Sequence, residues 1–537
     1  MHIVRIDGTL TRQHAADSIG AKAANLGRMA ALGLPVPPAF VLPVKLCADV
    51  IANTRHAERD LREGLRAGIA FLEQTTGKRF GDHRDPLLVS VRSGAARSMP
   101  GMLDTVLNVG CTLTAVQGLI RATGRPRLGW DCRRRLIESF SETVLGHDPA
   151  PLHVRLAELV ASERAATDRE LDSEALERLA NDEQALIETG SDGWLEDPEA
   201  QLEAAARAVY RSWVSERAQT YRSLQGMEHL TGTAVTVQAM VFGNGGLVSG
   251  AGVAFSRDPS TGAKRPVIDL VLDAQGEDVV SGRRTPDTEE LIARALPTSV
   301  AELSKILTQL EQEFGDVQDV EFTVENGKLW LLQTRAAKRT PRAALRIAID
   351  LVQEGLITPH QALQRLADVD LDALVETKLV GSGAPVAVGI GASGGIAAGR
   401  AAFDAASAQR RAAGGDPVIL MRPDTSTADI AGFAVAAGIV TSVGARTAHA
   451  ALVARQLGRP CIVGCGDMVV EPEADRARLG STIIAGGDWV TIEGDSGRVH
   501  LGRGEIATSR PEVELAEVAR WHTEDHTPPA AALRHSA

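Results

Sequence analysis

The sequence predicts a multi-domain α/β protein, and three observations lead to this fold class. The chain has 537 residues, and at ~150 residues per domain three or four folded units are expected. Short apolar runs typical of buried strands alternate with longer amphipathic segments typical of helices. The hydrophobic fraction of 44% and the charged fraction of 23% are those of an ordinary globular protein.

The N-terminal third contains the first predicted helix and strand. The apolar spacing of residues 21–32 predicts a helix, which Gly33 and Pro35 end. The run Leu-Leu-Val-Ser-Val at 87–91 is typical of a buried strand, and a loop of small residues follows it at 93–101. Small residues let a ligand approach the backbone closely, so this loop is a candidate binding element.

A helical insert is predicted at about residues 111–196. Its charged stretch at 152–188 has Leu and Ala at helical spacing among Glu and Arg. We expect this stretch to be solvated and to carry no chemistry of its own. Apolar runs typical of strands return at 233–241, 252–255 and 267–272.

The second half of the chain predicts a further α/β region. Amphipathic helices are expected at 341–374. A Gly- and Ala-rich segment at 381–399 then introduces an α/β region that runs to about Gly502. The final residues contain a short helical pattern at 513–521.

Charge and composition exclude several functions. The net charge of −12 repels phosphate backbones, so we expect no nucleic-acid partner. The N-terminus lacks the apolar region of a secretory signal. The most apolar window, 431–445, is shorter than the ~18 residues of a membrane span, so we expect no membrane partner and a buried helix and strand instead. Five scattered cysteines favour a reducing cytoplasm, and Cys461 and Cys465 lack a second pair at zinc spacing.

Two familiar nucleotide motifs do not supply a binding site. Gly389-x-Gly391-x-x-Gly394 matches the dinucleotide fingerprint, but a strand is expected after it where that motif needs a helix. A turn-rich entrance to a domain is the favoured interpretation. Gly77-Lys78 lacks the upstream glycine of a P-loop. If ATP is bound, a different nucleotide-binding motif must bind it.

Arg92 follows the predicted buried strand and opens the small-residue loop. Its guanidinium can hold phosphate oxygens in bidentate fashion while backbone N–H groups of the loop approach them. Lys22, near the start of the first helix, adds a positive charge. Taken alone, these residues also fit an ordinary surface loop and a solvated lysine.

The segments on either side of Asn326-Gly327 alternate as β-strands do, which predicts a hairpin. Two registers are open. A two-residue Asn-Gly turn would place Glu321 and Gln333 on opposite faces. A three-residue loop, which adds Lys328, pairs them on one face.

The three-residue loop, which we predict, also pairs Asp319 with Arg335. Glu321 and Gln333 would then supply two oxygen ligands suited to Mg²⁺, flanked by an ion pair. A plain exposed polar face is the alternative on these residues alone.

The segment Gly444-Ala-Arg-Thr-Ala-His449 precedes an Ala- and Leu-rich helix that Gly458 ends. Thr447 is the predicted N-cap, so His449 lies in the first turn. There the free N–H groups and the helix dipole favour an anion such as a phosphoryl group. A histidine with a pKa of ~6.5 is largely neutral at pH 7, as a nucleophile must be. A surface histidine is the alternative.

Taken together and in order, these segments resemble the pyruvate, phosphate dikinase family of PEP-utilising enzymes, in a form that lacks the C-terminal barrel. The resemblance covers roughly residues 15–500 and rests on these stretches: GAKAANL at 20–26, VRSGAARSMPGM at 91–102, SGAGVAFSRDPSTG at 249–262, DAQGED at 273–278, QDVEF at 318–322, LQTR at 332–335 and GARTAH at 444–449.

The resemblance implies four parts along the chain. They are an ATP-grasp nucleotide-binding domain at 1–340, a helical connector at 341–380, a swivelling phosphohistidine domain at 381–505 and a tail at 506–537. It also implies site residues. ATP contacts are expected from Lys22, Arg92, Gly101, Met102, Asp319, Glu321 and Arg335. Mg²⁺ would be held by Glu321 and Gln333, and His449 would accept the phosphoryl group.

The implied enzyme is a phosphotransferase that moves the β-phosphate of ATP onto His449. AMP is left, and the γ-phosphate passes to inorganic phosphate. In the family, pyruvate then receives the phosphoryl group and becomes phosphoenolpyruvate, whereas the sister phosphoenolpyruvate synthases give the γ-phosphate to water. Expected partners are therefore ATP, inorganic phosphate and pyruvate or phosphoenolpyruvate, and a homodimer is compatible with the resemblance. The alternative is a non-catalytic nucleotide-sensing or assembly subunit, which would not require His449.

The sequence departs from the family's pattern in two places. Ala448 stands where the family has Ser or Cys, and we expect this change to be tolerated. The family continues into a (β/α)₈ barrel that binds Mg²⁺ and pyruvate, so we expect the acceptor to come from a separate protein or a small molecule. Thr447, a regulatory phosphorylation site in some relatives, is retained.

Overall fold

The computed structural model describes residues 3–8, 15–97, 99, 102–187, 193–280, 284–381, 383–424 and 429–525. Two compact units are present: the first comprises residues 1–249 and 323–334, and the second comprises residues 250–322 and 335–537. Each contains helices and sheets, so the predicted multi-domain α/β class is confirmed. The borders predicted at residues 340, 380 and 505 stay predictions.

Ten α-helices and seven strands are described in residues 3–249. The helices are α1 (Ala16–Ile19), α2 (Ala21–Ala31), α3 (Cys47–Ile51), α4 (Arg55–Thr76), α5 (Leu113–Thr123), α6 (Pro126–Phe140), α7 (Ala150–Ser162), α8 (Ser173–Ile187), α9 (Pro198–Arg211) and α10 (Glu216–Leu224). The strands are β1 (Val4–Ile6), β2 (Ala39–Leu42), β3 (Arg79–Phe80), β4 (Pro86–Leu87), β5 (Val89–Ala95), β6 (Thr105–Val109) and β7 (Thr233–Ala239).

One antiparallel sheet organises the first unit, with the strand order β1-β2-β7-β5-β6. Its central strand β7 is buried along its whole length, and β5 pairs with it from Val89↔Ala239 to Ala95↔Thr233. Strand β5 also pairs with β6, at Val89, Val91 and Arg92, so two neighbouring strands fix its position. Arg92 lies on this strand.

The elements after residue 249 are mostly short. The strands are β8 (Gly250–Phe255), β9 (Val267–Leu272), β10 (Gln318–Glu325), β11 (Lys328–Ala336), β12 (Glu376–Val380), β13 (Ala387–Val388), β14 (Ile390–Ser393), β15 (Ile396–Ala402), β16 (Val418–Arg422), β17 (Gly438–Thr441), β18 (Cys461–Val463), β19 (Met468–Glu471), β20 (Arg476–Leu479), β21 (Thr482–Ala485), β22 (Trp489–Glu493), β23 (Arg498–Leu501) and β24 (Glu505–Ser509). The helices are α11 (Gly276–Val280), α12 (Glu289–Ala295), α13 (Pro297–Phe314), α14 (Pro341–Gln353), α15 (Pro359–Leu366), α16 (Ala405–Ala413), α17 (Ile430–Val435), α18 (His449–Gln456) and α19 (Glu512–Asp525).

Two sheets carry most of these strands. A four-stranded sheet has the order β11-β10-β8-β9, and an eight-stranded sheet has the order β13-β23-β22-β15-β16-β17-β18-β14. In the larger sheet β15 to β18 are parallel, and their short connections include α16, α17 and α18. Such βα connections place helix N-termini at the carboxyl ends of the strands, where α/β proteins bind anions.

The segment patterns predicted from the sequence are confirmed at most positions. The predicted helix at 21–32 is α2, and the predicted strands at 87–91, 233–241, 252–255 and 267–272 correspond to β4 with β5, β7, β8 and β9. The apolar window at 431–445 forms α17 and β17, as expected. Within the described part of the chain, no helix is long and apolar enough to cross a membrane.

The Gly389-x-Gly391-x-x-Gly394 segment is not a dinucleotide loop. Strands β13, β14 and β15 occupy it and the residues around it, with no helix between β14 and β15. The sequence-based interpretation that this segment is not a dinucleotide-binding loop is therefore confirmed.

The C-terminal helix α19 packs against the helices that follow β11. Val518 and Trp521 are each 2% exposed and belong to the same apolar core as Leu345 and Leu351 of α14. The helical pattern predicted at 513–521 is confirmed, and this part of the chain belongs to the packed core of its unit.

The helical insert is only partly solvated. On α8, Leu176 and Leu179 are buried, as is Glu183 on the same face. The expectation of a solvated insert is therefore wrong for this face, because the helical spacing of Leu and Ala forms a stripe that packs on α6. Glu183 lies beside an Arg134–Glu138 ion pair of 2.5 Å on α6. Burial, reinforced by the charge of Glu138, raises the pKa of Glu183 far above its usual range, and Arg134 only partly opposes this.

This raised pKa predicts a pH-dependent stability. The folded state keeps the Glu183 proton that the unfolded chain releases near pH 4.3, so stability is lost as the pH rises from about 4.3 towards the folded pKa, by at most ~1.4 kcal/mol per pH unit. Glu183→Gln should remove this slope and stabilise the protein at pH 8 relative to wild type. Urea unfolding between pH 5 and pH 8 measures it. Glu177→Gln, on the exposed face of α8, is the control, and an unchanged slope in Glu183→Gln would contradict the assignment.

Candidate functional site

The loop before α2 packs against the end of β5. Gly20 has a φ of 81°, and a Cβ at this position would lie 2.1 Å from the carbonyl oxygen of Gly94. Only glycine allows this backbone approach. The first turn of α2, which carries Lys22, thereby lies beside the strand that carries Arg92. The Lys22 Cβ is 3.9 Å from where a Cβ on Gly94 would lie.

Strand β11 joins the same cluster. Arg92 Nη1 donates to the carbonyl of Leu332 at 3.4 Å, and Asn25 Nδ2 of α2 donates to the carbonyl of Thr334 at 2.8 Å. Gln333 lies between these two carbonyls in sequence and is 3% exposed. The first unit therefore gathers both predicted phosphate-binding cations and the strand that carries the predicted amide ligand.

The small-residue loop after β5 is described only in part. Gly101, a predicted ATP contact, lies outside the described residues. Met102 is half-buried against the apolar core of the first unit, and its N–H donates to the carbonyl of Met99 at 3.2 Å. Its predicted ATP contact stays a prediction.

The tip of the hairpin corrects the predicted loop. Strand β10 ends at Glu325 and β11 begins at Lys328, so the loop has two residues. Asn326 and Gly327 have φ values of 50° and 79°, as the type I′ turn requires. The three-residue loop is therefore wrong, because Asn-Gly fits the left-handed conformation at both turn positions.

The predicted ion pair nevertheless forms. Arg335 Nε donates to Asp319 Oδ2 at 2.8 Å, and the N–H of Ala337 donates to the carbonyl of Val317. Counting back from the two-residue turn would instead place Thr334 opposite Asp319. These two contacts are those of the predicted register, and they imply one extra residue in β11 between the turn and Arg335, as in a β-bulge.

Asp319 is a buried carboxylate with two different oxygens. Its side chain is 1% exposed, Oδ2 accepts from Arg335, and Oδ1 accepts no hydrogen bond among the described residues. Burial raises the pKa of Asp319, Arg335 opposes this, and the nearby charge of Glu321 adds to it. Asp319, Glu321 and Arg335 are therefore brought together, with one carboxylate oxygen left for a further cation.

His449 is the first residue of α18, as the predicted first-turn position requires. The N-cap is Ala448, so the prediction of Thr447 as N-cap is wrong. The Thr447 hydroxyl is turned into the protein: the residue is 1% exposed, and its Oγ1 has no hydrogen-bond partner in the described ranges. Gly458 has a φ of 62° directly after the C-cap, which confirms it as the helix end.

Arg446 fixes the loop that precedes His449. Its backbone N–H donates to Asp269 Oδ2 at 2.8 Å, and its Nη1 donates to Oδ1 of the same carboxylate at 2.5 Å. Its Nε also donates to the carbonyl of Gly391 at 3.1 Å. Asp269 is 1% exposed on β9. A buried carboxylate thus holds this loop against the sheet that also contains β10.

Sequence reasoning missed four polar residues of this region: Asn25, Asp269, Arg446 and Arg455. Asn25 and Arg446 lie within the quoted motifs, but neither carries a local pattern that assigns it a partner. Asp269 interrupts an otherwise apolar strand, and Arg455 interrupts the apolar face of α18. A single charge on a face that is otherwise buried was the available signal, because such a charge must find a partner.

Two known families match the chain. Residues 57–299 and 293–356 match the family described as "Pyruvate phosphate dikinase, AMP/ATP-binding domain". Residues 414–497 match the family described as "PEP-utilising enzyme, mobile domain". The first match includes Arg92 and the hairpin, and the second includes the loop and helix of His449.

Curated relatives match along nearly the whole chain. It is 41% identical over 532 residues to the pyruvate, phosphate dikinase of Rhizobium meliloti (strain 1021), 39% over 502 residues to that of Clostridium symbiosum, and 38% over 508 residues to the chloroplastic enzyme of Flaveria pringlei. These alignments cover 94%, 92% and 94% of this chain, and 58%, 57% and 53% of the relatives. The chain therefore spans a little more than half of the length of these relatives.

The contact between Gly20 and Gly94 predicts a large substitution effect. Gly20→Ala should destabilise the protein by about 3 kcal/mol, because it adds a backbone clash to a left-handed φ. Gly33→Ala is the matched control: its φ is 74°, but nothing lies within 4 Å of its added Cβ, so it should cost about 1 kcal/mol. Urea unfolding followed by circular dichroism measures both variants. Equal effects would show that the packing of α2 on β5 is looser than described.

Proposed function

Because the chain belongs to the pyruvate, phosphate dikinase family, we propose that it is an ATP-dependent phosphotransferase that phosphorylates its own His449. The phosphoryl group comes from the β-phosphate of ATP, so AMP is the nucleotide product. The γ-phosphate passes to inorganic phosphate.

One observation carries the proposal. His449 opens α18, and its loop is held by the Arg446–Asp269 pair to the sheet that also contains Asp319 and Glu321. The phosphoryl acceptor and the acidic residues therefore belong to one packed unit. A nucleotide sensor would need the acidic residues but would not need His449.

The roles follow from the chemistry of each side chain. Lys22 and Arg92 bind polyphosphate oxygens, and Arg335 holds Asp319 in place while facing the nucleotide. His449, when neutral, attacks the β-phosphorus; the bond between the α- and β-phosphates breaks, and AMP leaves with that electron pair. Inorganic phosphate then removes the γ-phosphoryl group as pyrophosphate, and one phosphoryl group remains on His449. First-turn N–H groups of α18 stabilise its negative charge.

The residues present fit a magnesium ion. Asp319 Oδ1 is buried without a hydrogen-bond partner in the described structure, and Glu321 lies on the same face of β10. Mg²⁺ in nucleotide sites uses one or two protein carboxylates, and phosphates and water complete its shell. Glu321 and Gln333 would hold the ion, with Asp319 beside them. Bound there, Mg²⁺ would neutralise charge that develops on the phosphates.

The final acceptor is proposed from the relatives' names. We propose pyruvate as the acceptor, which becomes phosphoenolpyruvate. Where this chain does not hold the pyruvate site, a separate acceptor-domain protein supplies it. All five cysteines are buried and free, which supports a reducing compartment such as the cytoplasm. Phosphorylation of Thr447 would require its buried hydroxyl to become accessible.

ATP labelled at the β-phosphate tests the central step. With Mg²⁺, the wild-type protein should take up about one acid-labile label per chain, and His449→Ala should take up none because the attacking nitrogen is gone. His153→Ala, an exposed histidine on α7, should label like wild type. Equal labelling of His449→Ala and wild type, or an unlabelled wild type, would remove the proposal.

Two further labelling assays test the acceptor of the γ-phosphate and the acceptor of the phosphoryl group on His449. With ATP labelled at the γ-phosphate, label should appear in pyrophosphate only when inorganic phosphate is added; release as inorganic phosphate would point to water. In a separate assay on protein labelled from β-labelled ATP, added pyruvate should discharge His449 into phosphoenolpyruvate if this chain holds the acceptor site, and should leave His449 labelled if another protein does.

The proposed metal ligand gives a separate prediction. Glu321→Gln should raise the Mg²⁺ concentration for half-maximal labelling about tenfold or more, because a carboxylate is replaced by a weaker neutral oxygen ligand. Initial labelling rates over a magnesium titration measure the effect. Glu302→Gln, exposed on α13, should follow the wild-type curve. Identical magnesium dependence in both variants would exclude Glu321 as a ligand.

A further inference from the structure

Arg455 is a buried cation on the helix of His449 that no step above uses. It lies six residues after His449 and is 0% exposed. Its Nε donates to the carbonyl of Ala451 at 3.2 Å, its Nη1 donates to the carbonyl of Lys338 at 3.5 Å, and its Nη2 donates to the carbonyl of Arg446. The guanidinium therefore joins α18, the loop before His449 and the segment after β11.

The acceptors of this guanidinium are all neutral. Within the described ranges no carboxylate lies within 4 Å of it, and the ring of Phe255 lies 5.4 Å from its Cζ. Burial lowers the pKa of Arg455 to about 10, and the more distant charges of Asp319 and Asp269 oppose this. A buried cation without a contacting anion is unfavourable unless its surroundings hold it in place.

The contacts divide into two groups. Ala451 and Arg446 lie within the range that matches the mobile domain, 414–497, whereas Lys338 and Phe255 lie outside it. Arg455 thus connects the two sides of the contact through which this domain rests on the four-stranded sheet. Its two outer contacts, with Lys338 and Phe255, depend on the domain being in this position.

We propose that Arg455 is a positioning residue for phosphoryl transfer to His449: by bridging the Arg446 carbonyl and the Lys338 carbonyl, it sets the start of α18 relative to the sheet that carries Asp319. This inference rests on the proposed function. Arg455 touches neither ATP nor the reacting atoms in this role. It acts through the loop, and the more distant carboxylates of Asp319 and Asp269 favour its charged form.

A positioning role differs from a purely structural one in what it leaves unchanged. ATP affinity depends in part on Lys22 and Arg92, which belong to the first unit, whereas Arg455 and its contacts belong to the second. Loss of Arg455 should therefore slow the transfer step and leave nucleotide binding intact. Small misplacements of reacting groups slow enzymatic steps by up to ~100-fold.

The test compares Arg455→Met, Arg455→Lys and the control Arg459→Met, an exposed arginine just after α18. Single-turnover labelling from β-labelled ATP at saturating Mg²⁺, ATP affinity by calorimetry and thermal unfolding are measured for each. Arg455→Met should label at least ~10-fold more slowly with ATP affinity within about twofold of wild type. Arg455→Lys should recover part of the rate because it keeps the charge, and Arg459→Met should match wild type.

Each outcome either supports or overturns the proposed role of Arg455. Wild-type labelling rates in both Arg455 variants would overturn the inference while leaving the proposed function standing. A parallel loss of rate and ATP affinity would also overturn it, because a structural role predicts that result. If Arg455→Met does not fold, a folded Arg455→Lys with wild-type rate overturns the inference and a slower one supports it. An unlabelled wild type would remove the proposed function, and the positioning role with it.

Discussion

The outer backbone edge of β11 is the constraint on which the candidate site depends. In the order β11-β10-β8-β9 this strand lies at the edge of its sheet, where unpaired N–H and C=O groups invite further pairing. Here the Leu331 N–H donates to Pro35, the Leu332 carbonyl accepts from Arg92, and the Thr334 carbonyl accepts from Asn25. Two of these three contacts come from α2 and β5, which carry Lys22 and Arg92, so the position of this strand is linked to that of both predicted phosphate-binding cations.

That register also shows what sequence reasoning can and cannot supply. Alternation along the hairpin predicted the Asp319–Arg335 ion pair correctly, although it assigned the extra residue to the turn. The turn follows local chemistry, since Asn326 and Gly327 both adopt positive φ values. Strand β11 also makes contacts over long sequence separations, with Pro35, Arg92 and Asn25, and no local pattern predicts these. Periodicity therefore predicted the two strands and the Asp319–Arg335 pair, but not the length of the turn.

The loop of His449 illustrates the same limit. Helix-capping rules favoured Thr447 over Ala448, and the predicted helix end at Gly458 was correct. The N-cap was predicted one residue too early. The backbone N–H of Arg446 donates to Asp269, 177 residues away in sequence, and this long-range contact fixes the loop before the helix. The identity of the site residues came from the order of motifs along the chain. Apart from the Asp319–Arg335 pair, their contacts came only from the three-dimensional arrangement.

The resulting N-cap has a chemical consequence. Alanine at an N-cap is less stabilising than Ser or Thr by about 1 kcal/mol, because it offers no oxygen to the first-turn N–H groups. At Ala448 those groups remain available to oxygens of a phosphoryl group on His449, which a capping hydroxyl would otherwise occupy. The Arg446–Asp269 and Arg455 contacts hold the loop without such a cap. Long-range contacts thus replace local helix stabilisation at the residue where an anion is proposed to form.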